Sequence, residues 1–237
     1  MVYCEPTEAA AAANTEEELQ FMEPIPLSLP ILMDGATGTE LQKRGMPAGA
    51  CTEQWALEHP EALLELQRAY VNAGATVLVT PTLGCNRGAL EPFGLDGQME
   101  DYNRRLVALT RQAAEGKALV AGDLGPTGKA IPPYGETPFE ELVDLYAPRA
   151  EALKEADLIL VEEVQAMAQA RAALLGVRQA GLRQPVLVVC RCDEEGRTPT
   201  GGDVLACGIV MQGMGAAAFG LHCPDPDALE ERLSRLH

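Results

Sequence analysis

From Ile31 onward, short aliphatic runs alternate with longer amphipathic ones, and this rhythm limits the chain to a parallel α/β architecture. The strand candidates are Ile31–Met33, Thr76–Thr80, Ala118–Gly122, Leu158–Glu162, Pro185–Cys190 and Ala216–Leu221. They are nearly continuous in apolar character, as strands covered on both faces must be. Helical periodicity fills the intervals at about 60–73, 98–115, 138–155, 165–181 and 203–214, with 226–236 after the last strand. Gly74, Gly116 and Gly181 follow helix ends, where a left-handed residue closes the last turn. The pattern gives six βα units. An open doubly wound sheet can be complete with six, whereas a (β/α)8 barrel needs two more and typically about 250 residues. In both architectures ligands bind at the C-terminal ends of the strands.

A chain of 237 residues is large enough for one domain with a full core. Residues 1–30 differ in kind, with six Glu, no Lys or Arg and four prolines, and read as a mobile N-terminal extension to a domain over 31–237. The formal charge of −17 argues against nucleic acid or an anionic membrane as partner. No apolar run has the length of a membrane span. Seven cysteines, an odd number without the regular spacing of a disulfide scaffold, indicate a reducing cytoplasm.

Chemistry gathers at the strand ends. The first strand runs into Asp34-Gly35-Ala36-Thr37-Gly38, which sets one carboxylate beside a glycine-rich turn. A ligand bearing both an ammonium and a carboxylate finds a partner for each charge in such a corner. The alternative is a plain connection in which Asp34 or Thr37 caps the next helix. Thr80 ends the second strand, Gly122-Asp123 the third, Glu162-Glu163 the fourth, Cys190-Arg191-Cys192 the fifth and His222-Cys223 the last. Carboxylates, hydroxyls and thiols therefore share one rim.

Four ordered motifs carry a family resemblance. They are Met33-Asp34-Gly35-Ala36-Thr37-Gly38-Thr39-Glu40-Leu41, Ala73-Gly74-Ala75-Thr76 through Thr82, Gly122-Asp123-Leu124-Gly125-Pro126-Thr127-Gly128, and Gly196-Arg197-Thr198-Pro199-Thr200-Gly201 followed by Gly220-Leu221-His222-Cys223. Over residues 31–237 the chain resembles the homocysteine S-methyltransferase (homocysteine-binding) family, above all the N-terminal module of cobalamin-dependent methionine synthases. The resemblance implies a (β/α)8 TIM barrel, here with about six βα units, and methylation of the homocysteine sulfur to give methionine. It implies that Asp34 and Glu162 hold the substrate ammonium, that the Gly35-Ala36 backbone holds its carboxylate, and that Thr80 lines the substrate site. It further implies that Cys223 is one of three cysteine ligands to a zinc ion. Zinc held by thiolates and open at one position would deprotonate the substrate thiol. The methyl donor, methylcobalamin or methyltetrahydrofolate, would come from a cobalamin-binding or folate-binding domain or chain.

The departures from the family pattern are as informative. Thr80-Pro81-Thr82-Leu83 replaces the usual Thr-Asn-Thr-Phe, and Leu221-His222 precedes Cys223 where the family has an asparagine. The Gly-Gly-Cys-Cys element that supplies the other two zinc ligands has no counterpart. A divergent site could draw on Cys190 and Cys192 instead. The other reading is a non-catalytic remnant or subunit that binds an amino acid or a partner without methyl transfer. Six units also leave open strand edges, which predicts self-association.

Overall fold

The computed structural model describes residues 30–234, together with Ile25. Helices α1 (Gly38–Lys43), α2 (Thr52–Glu58) and α3 (Pro60–Asn72) precede strand β1 (Val77–Val79). There follow α4 (Arg87–Leu90), α5 (Met99–Ala114), β2 (Leu119–Leu124), α6 (Phe139–Ala152), β3 (Leu158–Val164), α7 (Met167–Gln179), β4 (Val186–Arg191), α8 (Val204–Gly213), β5 (Ala218–His222) and α9 (Pro226–Ser234). The expected extension over residues 1–30 lies, but for Ile25 and Pro30, outside the described residues.

The five strands are all parallel and lie in chain order, β1-β2-β3-β4-β5. Chain order decides between the two architectures. A doubly wound sheet reverses its strand order partway, with helices on both faces, whereas a barrel winds in one direction with its helices outside. Packing agrees with the second. Strand side chains such as Leu78, Val120, Ile159, Val161, Val188 and Leu221 join residues of α5 to α8 in the main core. The alternate set, Val77, Ala121, Leu158, Leu160, Leu187, Val189 and Ala218, packs with Met33 and Ile31 on the inner face. The fold is a partial TIM barrel.

The first expected strand, Ile31–Met33, is present only as a parallel bridge between Met33 and Val77. Its backbone pairs through Leu32 and Asp34 alone: Thr76 N donates to Leu32 O (2.8 Å) and Asp34 N to Val77 O (3.0 Å). Pro30 on one side and the Gly35 turn on the other leave no room for a longer ladder. The other five strands and the six long helices fall within a few residues of their expected spans. Gly74, Gly116 and Gly181 have φ of 105°, 71° and 74°, as their places after helix ends require. Helices α1 and α2 were not expected, because six or seven residues are too few for a helical period to stand out. No strand pairs with the outer edge of β5 among the described residues.

Helices α6 and α7 meet at Gly176, where an added Cβ would sit 2.6 Å from Tyr146 Cβ and 3.1 Å from Ala147 N. Alanine gains about 1 kcal/mol of helix propensity over glycine, but overpacking against a backbone atom costs about 1–3 kcal/mol. The clash should dominate. Gly176→Ala is therefore expected to lower the urea midpoint, and an unchanged or raised midpoint would show that the helix pair can move apart.

Candidate functional site

A cavity of about 770 Å³ opens at the C-terminal end of the strands, and Asp34, Gly35, Ala36, Thr80, Asp123 and Glu162 are among its lining residues. All five residues expected to bind substrate, Asp34, Gly35, Ala36, Thr80 and Glu162, are thus brought together. Asp123, expected on the rim but not as a substrate ligand, and Glu53, which the sequence did not mark, join them.

The Asp34 corner is built by α3. Tyr70 donates a hydrogen bond from its hydroxyl to Ala36 O (2.9 Å), which fixes the turn. A Cβ at residue 35 would lie 2.9 Å from that same hydroxyl oxygen, so a larger residue there would have to displace Tyr70. Asp34 Oδ2 accepts from Val79 N (3.1 Å), so the carboxyl is held over β1. Burial raises the Asp34 pKa from 3.8 to about 7, against the lowering effect of the Val79 bond and with a further push from Glu162. Thr37 stands at the N-cap of α1, but its side chain makes no capping bond.

Thr80 acts on its neighbours. Asp123 N donates to Thr80 Oγ1 (3.0 Å) and Thr82 Oγ1 donates to Asp123 O (2.8 Å). The 2.7 Å contact between the two hydroxyls must then be Thr80 donating to Thr82. The result is a closed ring of buried bonds that returns to Asp123 through both of its backbone groups. Every member is satisfied.

Directly after Glu162 the strand carries a β-bulge. Val161 pairs with Val188 and Val164 pairs with Cys190, so two residues of β3 face one of β4. Without the extra residue, strand alternation would turn Val164 inward; instead it packs in the helix-facing core with Val161. Glu163 is the residue absorbed, at φ 55°, a left-handed conformation that costs a non-glycine residue about 1 kcal/mol or more. Its carboxylate accepts from His222 Nδ1 (2.6 Å) and pairs with Arg191 (3.5 Å) at the rim. Glu162 lines the cavity, and burial raises its pKa.

Behind the rim, Arg149 of α6 is 1% exposed and donates to Gly125 O (2.7 Å) and Leu83 O (3.3 Å), which joins the loops that follow β2 and β1. Glu53, 8% exposed, accepts from Cys51 Sγ (3.3 Å) on the cavity wall. Neither residue stood out in the sequence: Glu53 lies in a short helix without a readable period, and Arg149 follows Pro148 in a run that reads as a solvated helix face.

The cysteines do not converge. Cys190 Sγ lies 3.3 Å from Cys207 Sγ of α8, on the helix-facing side of β4, and its pKa is raised first by that contact and then by burial. Cys192 is buried in the same core, whereas Cys223 Sγ points to Asp193 O (3.6 Å). Alternation along β4 explains the separation, since Val186, Val188 and Cys190 share the outward face. Among the described residues no three His, Cys, Asp or Glu side chains are grouped to hold a metal ion. The expectation that Cys190 and Cys192 complete a site with Cys223 is not met by this geometry.

Fold and cavity together define an α/β protein of the TIM-barrel type with an acid-lined site at its strand ends. A family model for homocysteine S-methyltransferase matches residues 31–237, and the chain belongs to that family. It is 31% identical over 224 residues to methionine synthase of Mycobacterium leprae (strain TN) and 30% identical to that of Mycobacterium tuberculosis (strain ATCC 25618 / H37Rv). Each match covers 86% of this chain but 18% of the relative, so the chain spans under a fifth of the length of these proteins. The metallated form of the homocysteine methyltransferase MmuM from Escherichia coli superposes with a TM-score of 0.76 at 26% identity, over 87% of this chain and 80% of that one.

The raised Asp34 pKa has a consequence for stability. Between pH 3.8 and about 7 the unfolded chain ionises at this position while the folded chain keeps its proton, so stability falls as pH rises through that window. Asp34→Asn is expected to remove part of the slope and to be more stable than wild type above pH 7, with a linkage ceiling of about 4 kcal/mol. Urea denaturation at several pH values tests this, and an equal slope in both proteins would refute it.

Proposed function

We propose that the chain is the homocysteine-binding part of a homocysteine S-methyltransferase of the methionine synthase type. The observation that carries this reading is the pairing, across one cavity, of Asp34 and Glu162 with the Gly35-Ala36 turn. The two acids suit an α-ammonium group, and the backbone N–H groups of the turn suit an α-carboxylate. Their work is to bind and orient the amino-acid end of the substrate and to keep water from it. Methylcobalamin or methyltetrahydrofolate, delivered by another domain or chain, is the proposed methyl donor.

Zinc is the metal this family implies, and the residues described do not fit it. Among the described residues no three His, Cys, Asp or Glu side chains stand together around Cys223, and a zinc site takes at least three protein ligands. No step is therefore routed through the metal. The same observation favours a second reading, a module that binds the amino acid, or a partner, without methyl transfer. The open edge of β5 is the proposed surface for self-association or for docking of further strands, and sedimentation showing a monomer at all concentrations would count against it. No helix among the described residues is long and apolar enough to cross a membrane. The odd number of cysteines, without the regular spacing of a disulfide scaffold, supports a cytoplasmic setting.

Calorimetry with L-homocysteine tests the binding role. Asp34→Ala and Glu162→Ala are each expected to weaken binding by about 10-fold to 100-fold, as loss of a charged hydrogen bond does. Added zinc is expected to leave the affinity unchanged. Binding that required zinc would mean that the sulfur is held on a metal after all, and binding indifferent to both substitutions would remove the cavity from consideration.

A further inference from the structure

Asp123 lines the cavity but holds no group of the substrate in the reading above, and it is tightly constrained. It is 2% exposed, its backbone is pinned at both ends by the Thr80–Thr82 ring, and it lines the same cavity as Asp34 and Glu162. Its Oδ1 is buried without a hydrogen-bond partner. The Glu162 carboxyl lines the same cavity, and its charge raises the Asp123 pKa beyond what burial does. Two buried carboxyl groups on one cavity wall resist ionising together, so one of them tends to keep its proton. An acceptor oxygen left bare in a cavity that already holds two acids points to a cationic ligand group.

We propose that Asp123 is a third acid of the ammonium subsite, holding a proton in common with Glu162 and releasing it to solvent when an α-ammonium group docks. The inference rests on the reading that the cavity takes the amino-acid end of its ligand. The docked cation supplies the charge that the proton supplied before, so the pair ionises, its hydrogen bond opens and its oxygens turn to the ligand. The groups that face Asp123 are Glu162 of β3, Asp34 before β1 and Arg149 of α6, and those that face Glu162 also include Glu163 and His222 of β5. Arg149 lowers the pKa of Asp123, but by less than burial and Glu162 raise it. Burial and Glu162 both raise the pKa of Asp123, which agrees with its being the protonated member.

The test uses L-homoserine, which has no thiol to lose a proton, at about pH 8, where Asp34 is largely ionised. Calorimetry in two buffers of different ionisation enthalpy is expected to show release of about one proton per ligand by the wild type. Asp123→Asn keeps the donor to Glu162 but has no proton to give. Its release should fall close to zero. A merely structural role would not move the proton count, and equal release by the two proteins overturns the proposal. Infrared spectra of the ligand-free wild type decide the shared proton separately, since they should contain a protonated-carboxyl C=O band at about pH 8 that is absent in Asp123→Asn. Absence of that band from the wild type overturns the proposal whether or not the amino acid binds. If the band is present and L-homoserine fails to bind, the shared proton stands, and it is the amino-acid reading, and with it the docking step, that falls.

Discussion

The buried guanidinium of Arg149 is the contact on which the site depends. A cation removed from water costs several kcal/mol unless its donors are met. Here both terminal nitrogens are met by carbonyls of the loops after β1 and β2, while Nε is buried without a partner among the described residues. Those two loops flank the Thr80–Thr82–Asp123 ring, so the cation of α6 fixes the backbone from which the acids project. The arrangement is economical in charge, because one guanidinium on the helix side allows several carboxyl groups on the cavity side to stay close together. Each carboxyl is then tuned by what surrounds it. Asp34 has a backbone donor, Glu163 has Arg191 and His222, and Asp123 and Glu162 have each other.

Much of this was legible in the sequence, for identifiable reasons. Runs such as Leu158–Val161 and Val186–Cys190 are apolar throughout because both faces of their strands are covered, and glycines fall where the helices between them end. Asp34 and Glu162 stand out because each ends such a run. What the pattern leaves open is the winding of the sheet, since alternation of strands and helices suits either architecture; only the observed order separates them. Strand 31–33 illustrates a smaller limit, as composition indicates a strand and the flanking Pro30 and Gly35 restrict it to a single bridge.

The unreadable part consists of features that depend on which way a side chain faces. Cys190 and Cys192 stand at the end of the strand expected beside that of Cys223, but strand alternation sends Cys190 to Cys207. Arg149 has the sequence context of a solvated helix residue and is among the most buried side chains of the protein. Asp123 was visible within its glycine-rich motif, yet only the fold brings it against Glu162.

The bulge at Glu162–Glu163 bears on how such a site can be moved or rebuilt. A regular strand presents one inward side chain on every second residue, so two adjacent acids would be divided between cavity and helix layer. The inserted residue lets a tandem pair serve both the cavity and the rim from one strand. Transplanting the acids to another parallel barrel by substitution alone would therefore fail at this strand. The graft would need one more residue than the strand it replaces, along with the left-handed turn that accommodates it.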